Sequence, residues 1–146
     1  SRSKRVSGKT LKGACHCGGV SFTVELLEGL GKPRRCDCTL CRMRGAVVVS
    51  ALADKLTILS GAELLKVYRF NTMQAEHHFC SNCGIYTHHK RRSNPSQLSV
   101  NVACLEGLSP FVFRHVPVFD GQTHHNDRPG GPAYRIAGYL DYSDAV

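Results

Sequence analysis

The chain has 146 residues, 42% of them hydrophobic, with 19 Lys and Arg against 11 Asp and Glu for a formal net charge of +8. A chain of this length folds as one domain and buries about 68–70% of its unfolded surface, so it needs no crosslinks for bulk stability. No run approaches the ~18 apolar residues that span a bilayer, and Ser1 to Thr10 holds no apolar targeting core, so a soluble, cytoplasmic protein without a membrane partner is expected.

In chain order, Ser1 to Lys12 carries five cations and no anion and reads as a flexible basic segment. Val20, Phe22, Val24 and Leu26 alternate with Ser21, Thr23 and Glu25, the period of a strand with one buried face. Further strands are expected at Ala46 to Ala51, Leu56 to Leu59, Leu65 to Phe70, Glu76 to Phe79, Ile85 to His89, Gln97 to Val102 and Phe111 to Phe119. Turn signals at Gly18-Gly19, Gly29 to Pro33, Ser60-Gly61, Asn71-Thr72, Asn94-Pro95 and Asp120-Gly121 separate them. The pattern predicts a mainly β, antiparallel fold in which only Thr39 to Arg44 and Ala53 to Leu56 form a turn or so of helix.

Eight cysteines remain to be explained, and seven sit in tight clusters: Cys15-x-Cys17, Cys36-x-Cys38-x-x-Cys41 and Cys80-x-x-Cys83. Clustering favours metal ligation in a reducing compartment over a secreted disulfide framework. In an extended segment residues two apart share a face, so Cys15 and Cys17 can converge on one ion while His16 points away. Cys80-Ser-Asn-Cys83-Gly84 has the form of a zinc knuckle, and the two pairs together make one closed tetrahedral site of structural type. Such a site ties together segments separated by the 62 residues from Gly18 to Phe79.

Cys36, Cys38 and Cys41 supply three sulfurs and leave a fourth coordination position, the arrangement of a catalytic zinc. Two alternatives stay open at this point. Cys104, His77, His88 or His124 can close that position, or Cys38 and Cys41 can pair with Cys80 and Cys83 as a ribbon and leave Cys15, Cys17 and Cys36 as the triad. Seven thiolates and two dications together contribute −3, which leaves the chain at about +5 and still basic.

The sequence resembles the glutathione-dependent formaldehyde-activating enzyme family, which includes the centromere protein V group. The resemblance is carried by Gly13-Ala-Cys15-His-Cys17-Gly-Gly-Val20, Cys36-Asp-Cys38-Thr-Leu-Cys41-Arg42, Leu59-Ser-Gly61 ahead of Tyr68-Arg-Phe70, and Phe79-Cys80-Ser-Asn-Cys83-Gly84. Arg92-Ser-Asn-Pro95, Val100-Asn-Val102 ahead of Cys104-Leu105, and Phe119-Asp-Gly121 continue it, so that it covers about three quarters of the chain. It implies a β-tent of two antiparallel sheets with zinc knuckles. It also implies two Zn²⁺ per chain, a structural ion on Cys15, Cys17, Cys80 and Cys83 and a catalytic ion on Cys36, Cys38 and Cys41. The activity implied is a carbon-sulfur lyase reaction that joins a glutathione-like thiol to a small aldehyde such as formaldehyde. On this reading residues 13–122 form the zinc-binding domain, and 123–146 extend it.

An anionic thiol beside a thiolate cluster needs nearby cations, and Arg34, Arg35, Arg42 and Arg44 are the candidates for binding the substrate anion. His77, His78, His88, His89, His124 and His125 are the candidates for proton transfer. Cys104 sits in an apolar run and is expected to be a buried small side chain. Lys90, Arg91 and Arg92 form a further basic patch. The alternative function is a zinc-stabilised binding module whose basic face engages nucleic acid or an acidic protein, but no nucleic-acid motif supports it. The sequence leaves the oligomeric state open.

Overall fold

The alternation from Val20 to Leu26 is a strand with one buried face: Phe22 and Val24 are fully buried, and the intervening Ser21, Thr23 and Glu25 are partly exposed. The computed structural model describes residues 9–92, 94–122 and 135–145. Among them a seven-stranded antiparallel sheet contains β1 (Thr10–Ala14), β2 (Ser21–Leu26), β4 (Val48–Ser60), β5 (Leu65–Tyr68), β6 (Glu76–Cys80), β7 (Tyr86–Lys90) and β8 (Gln97–Asn101). Their order across the sheet is β1-β2-β4-β8-β7-β6-β5. A three-stranded sheet, in the order β10-β9-β3, holds β3 (Arg35–Cys36), β9 (His115–Phe119) and β10 (Ile136–Asp141). The protein is mainly β, as expected, with one short helix, α1 (Thr39–Arg44), and three 3₁₀ turns among the described residues. No described helix is long and apolar enough to cross a membrane.

The main core gathers Phe22, Val24 and Leu26 of β2, Val49 and Ala51 of β4, Leu98 and Val100 of β8, and Val116 of β9. Val116 comes from the smaller sheet, so burial of this apolar face is what holds the two sheets together, at about 1.5–3 kcal/mol for each large side chain.

Three local expectations are corrected. Ala53 to Leu56 is not helical; it lies inside β4, which runs unbroken through the separately expected Leu56 to Leu59. Its Leu56 and Thr57 pair with Val24 and Thr23 of β2, and the Ala53 N–H donates to the Ser96 carbonyl. Sheet hydrogen bonds and the inward packing of Leu56 and Ile58 outweigh the helical propensity of Ala-Asp-Lys-Leu. Phe111 to Phe119 is not one strand either. Pro110–Val112 form a 3₁₀ turn capped by the Ser109 hydroxyl, which accepts from the Phe111 N–H, and β9 begins at His115. Finally, β1, β3 and β10 were not expected. Thr10, Leu11 and Lys12 pair with Glu25, Val24 and Thr23, and β10 pairs with β9.

Candidate metal centres and the cleft between the sheets

Cys15 and Cys17 leave the end of β1, at one margin of the large sheet, whereas Cys80 ends β6 near the opposite margin. The sheet curls so that these ends meet. A ZnS₄ tetrahedron with Zn–S bonds of about 2.3 Å has S–S edges of about 3.8 Å. The Sγ atoms of Cys15 and Cys17 are 3.6 Å apart and those of Cys17 and Cys80 are 3.8 Å apart. All four ligand atoms of Cys15, Cys17, Cys80 and Cys83 lie within 4.8 Å of one another.

Backbone N–H groups point at these sulfurs: Val20 at Cys15, Gly19 at Cys17 and Asn82 at Cys80, at 3.3, 3.4 and 3.4 Å. Cys83 is lowered to about 6, chiefly by the Cys17 N–H and then by that of Ile85. Such donors favour thiolate, the form a metal binds. The turn at Gly61 lies directly against this knuckle. A Cβ there would stand 2.0 Å from the Gly19 carbonyl oxygen, and the φ of +80° is one that glycine alone adopts at no cost.

The second group, Cys36, Cys38 and Cys41, also has its ligand atoms within 4.8 Å of one another. Cys36 is the last residue of β3, Cys38 is the N-cap of α1, and Cys41 lies within the helix. The Cys38 sulfur accepts from the Cys41 N–H at 3.4 Å, as an N-cap oxygen would, and the Cys38 N–H donates to the Cys36 sulfur at 3.4 Å. Hydrogen bonds from the Cys36 and Cys41 thiols lower Cys38 to about 2, while sharing a proton with Cys38 pushes Cys36 well up. The three sulfurs thus crowd around shared charge, a donor set suited to a thiophilic cation.

A strap from β9 closes one side of this trio. The Asp37 carboxylate accepts from the Gly121 N–H at 2.7 Å, and the Gln122 side-chain amide donates to the Asp37 carbonyl at 2.5 Å. A Cβ on Gly121 would lie 2.3 Å from Cys36 Sγ and 2.8 Å from Cys38 Cβ, so only glycine lets the strap sit this close.

The other side opens on a cleft of about 280 Å³ between the two sheets. Arg34, Arg35, Arg44, Arg91 and Arg92 line it, with Asp120 as the one carboxylate among its described lining residues. Asp120 is itself paired with Arg135. Arg34 donates to Ser99 Oγ at 2.9 Å and Arg91 to Gln97 Oε1 at 2.8 Å, which holds their guanidinium groups along the wall formed by β8. Arg44 is held by three groups. It donates to His77 Nδ1 at 3.1 Å and to Cys41 Sγ at 3.6 Å, and its guanidinium lies 3.6 Å from the centre of the Tyr86 ring.

Residues 10–115 match the family described as glutathione-dependent formaldehyde-activating enzyme. The chain belongs to this family. A protein of Halomonas elongata, provisionally named a glutathione-dependent formaldehyde-activating enzyme, is 37% identical over 82 residues, which are 50% of this chain and 51% of that protein. The chain therefore spans about half the length of that curated relative. The crystal structure of a Rhodobacter sphaeroides protein superposes with a TM-score of 0.73 at 53% identity, covering 74% of this chain and 99% of that one.

In this family member the two cysteine groups assemble as the closed quartet and the separate trio, so the ribbon alternative does not form. Cys104 belongs to neither group. It is buried in the main core, its Sγ donates to the Tyr86 carbonyl at 3.5 Å, and burial pushes the thiol up to about 12. Arg34, Arg35 and Arg44 reach the cleft, but Arg42 does not: it is exposed and absent from the cleft wall, because α1 turns its side chain away from Cys41. The period of β6 and β7 divides the histidines. His77 and His89 pair across the strands and line the cleft, whereas His78 and His88 stack on the opposite face with ring centroids 4.3 Å apart. His124 and His125 lie outside the described residues. Arg91, Arg92, Phe70 and the Gly121 strap were not anticipated as parts of the site. The signals for them were a basic cluster, an Asp-Gly turn and the presence of Phe70, Arg92 and Gly121 in the motifs that carry the family resemblance.

Proposed function

We propose that this chain is a zinc-dependent carbon-sulfur lyase-type enzyme that adds a glutathione-like thiol to a small aldehyde such as formaldehyde. The reading takes two zinc ions per chain, a structural one on Cys15, Cys17, Cys80 and Cys83 and a catalytic one on Cys36, Cys38 and Cys41. The observation that carries it is the trio itself. Its three sulfurs converge without a fourth histidine, cysteine or carboxylate ligand among the described residues, at the wall of an arginine-lined cleft.

When bound there, zinc would supply Lewis acidity that favours the thiolate form of a substrate thiol. The protein's own groups account for the rest. Arg34, Arg35, Arg91 and Arg92 make the cleft strongly positive and suit it to a thiol that also carries carboxylates, since guanidinium groups pair with carboxylates through two parallel hydrogen bonds. Arg44 donates to Cys41 and so offsets the charge accumulated on the sulfurs. The strap through Gly121 and Asp37 shields the far side of the trio, so that reactants approach from the cleft. The partners are then small molecules, a thiol and an aldehyde, and a cytoplasmic setting, where thiols stay reduced, suits the chemistry.

Cobalt substitution tests the reading. Adding glutathione or a simpler thiol should shift the visible spectrum of the cobalt in the second site, and the zinc protein should accelerate adduct formation between glutathione and formaldehyde. A cobalt spectrum indifferent to every thiol, with no rate enhancement, would reject the enzyme. Retention of a nucleic acid or an acidic protein regardless of the second metal would put a binding module in its place.

A further inference from the structure

We infer that His77 is a fixed hydrogen-bond donor for the aldehyde oxygen, presenting Nε2–H to the cleft, and that Arg44 is the positioning residue that locks this tautomer. The inference rests on the thiol and aldehyde reading above.

Arg44 Nη1 lies 3.1 Å from His77 Nδ1. A guanidinium has only donors and does not deprotonate in proteins, so Nδ1 must offer its lone pair. A neutral imidazole carries one ring proton, which is therefore on Nε2. The ring stays neutral because it is 7% exposed: burial first, and then the charge of Arg44, hold its pKa down to about 4. Nε2 meets no hydrogen-bond partner among the described residues, and the ring lines the same cleft as Cys36, Cys38 and Cys41.

Arg44 has little freedom to release this arrangement, since the Cys41 sulfur and the Tyr86 ring hold the same guanidinium. His89, the neighbouring ring in the cleft, differs. Its Nδ1 faces the Tyr86 hydroxyl at 2.7 Å, a group that can donate or accept, so its tautomer is not forced.

A general base needs a lone pair facing the reactant, and the lone pair of His77 is committed to Arg44. What His77 offers is stabilisation of negative charge. As the thiolate sulfur forms the C–S bond, the C=O π pair moves onto oxygen, where Nε2–H can bond it. Cleft water supplies the proton that completes the hydroxyl, and the proton released from the thiol goes to solvent, so the imidazole keeps its own.

The test begins without substrate. In ¹⁵N-histidine-labelled zinc protein, His77 should show a protonated Nε2 and an unprotonated Nδ1 throughout pH 8 to 5, and Arg44→Leu should release a mixture of tautomers. A wild-type ring protonated at Nδ1, or titrating near 6.5, overturns the inference. In turnover, His77→Leu should lower kcat by about 10²-fold with little change in KM for the thiol, the scale expected for losing one such donor. His77→Gln, which restores an N–H, should recover most of that loss. Wild-type kcat in His77→Leu overturns the role. Absence of any thiol-aldehyde activity in the wild type overturns it together with the function above, and the tautomer measured beforehand shows which of the two has failed.

Discussion

Cys17 and Cys80, separated by 63 positions in the chain, hold their sulfurs 3.8 Å apart, the edge length of a zinc-sulfur tetrahedron. This contact joins one margin of the seven-stranded sheet to strands near the other, and around it, among the described residues, the buried cluster is small: Cys15, Val20 and Cys80, with the partly buried Leu64, Leu65 and Cys83 packed against them. So small a cluster contributes little apolar burial, and on the proposed zinc reading an ion held by the four sulfurs would supply the missing tie.

Cys80→Ser should therefore cost folding as well as metal. Structural zinc contributes about 10–16 kcal/mol of apparent binding energy in small folding units, as much as the whole stability of an ordinary domain. Metal analysis with thermal unfolding checks this. A soluble variant that keeps its melting temperature with one zinc fewer would contradict the assignment.

Cys38→Ser should behave differently. Serine is itself a good N-cap, so α1 keeps its start, while the second site loses a ligand. The expected product is a folded protein with one zinc and no thiol addition, seen by metal count and circular dichroism.

Gly121→Ala should weaken the second metal selectively, because the new Cβ would meet Cys36 Sγ at 2.3 Å. Competition with a chromophoric chelator should show the second zinc leaving at lower chelator concentration, with the first unchanged. Equal affinities at both sites would mean that the strap yields without disturbing the sulfurs.

Arg91→Ala should raise KM for an anionic thiol by about tenfold, the scale of one charge-assisted hydrogen bond, and leave a neutral thiol almost unaffected. Arg42→Ala, outside the cleft, should change neither. Equal losses for both thiols in Arg91→Ala would reduce that residue to general surface charge.

His88 makes stability sensitive to acid. It is 5% exposed, and burial lowers its pKa from 6.5 to about 3. Between these values the unfolded chain binds the proton and the folded chain does not, so this contribution is complete above pH 6.5 and is lost as pH falls toward 3. The slope from one such group reaches about 1.4 kcal/mol per pH unit. Denaturant unfolding of wild type and His88→Gln at pH 7 and 5 isolates it, since acid effects on the zinc ligands are common to both proteins. Parallel losses of stability would assign the acid sensitivity elsewhere.

The cysteine clusters were legible because metal ligation demands particular residues at short spacings, and β2 was legible because a one-sided strand must alternate. The segment Ala53 to Leu56 misled because its preference is local, whereas its partner in β2 lies some thirty residues away. Arg91 misled for a related reason. As part of a basic run it resembles any solvated surface, and the pairing of β7 with β8 and the bond to Gln97 place it on the cleft wall.

By itself, then, the sequence determined the mainly β class, through periodicity, and the cysteine clusters as ligand sets, through short spacings, while its motifs carried the resemblance to the family. That the seven cysteines divide into a quartet and a trio and not a ribbon was decided by the fold. Tertiary structure decided which arginines and histidines face the trio, that Arg42 does not, and that Gly121 must be glycine. Those relations depend on how two sheets pack and on which face of a paired strand looks inward, and such information belongs to contacts between distant segments.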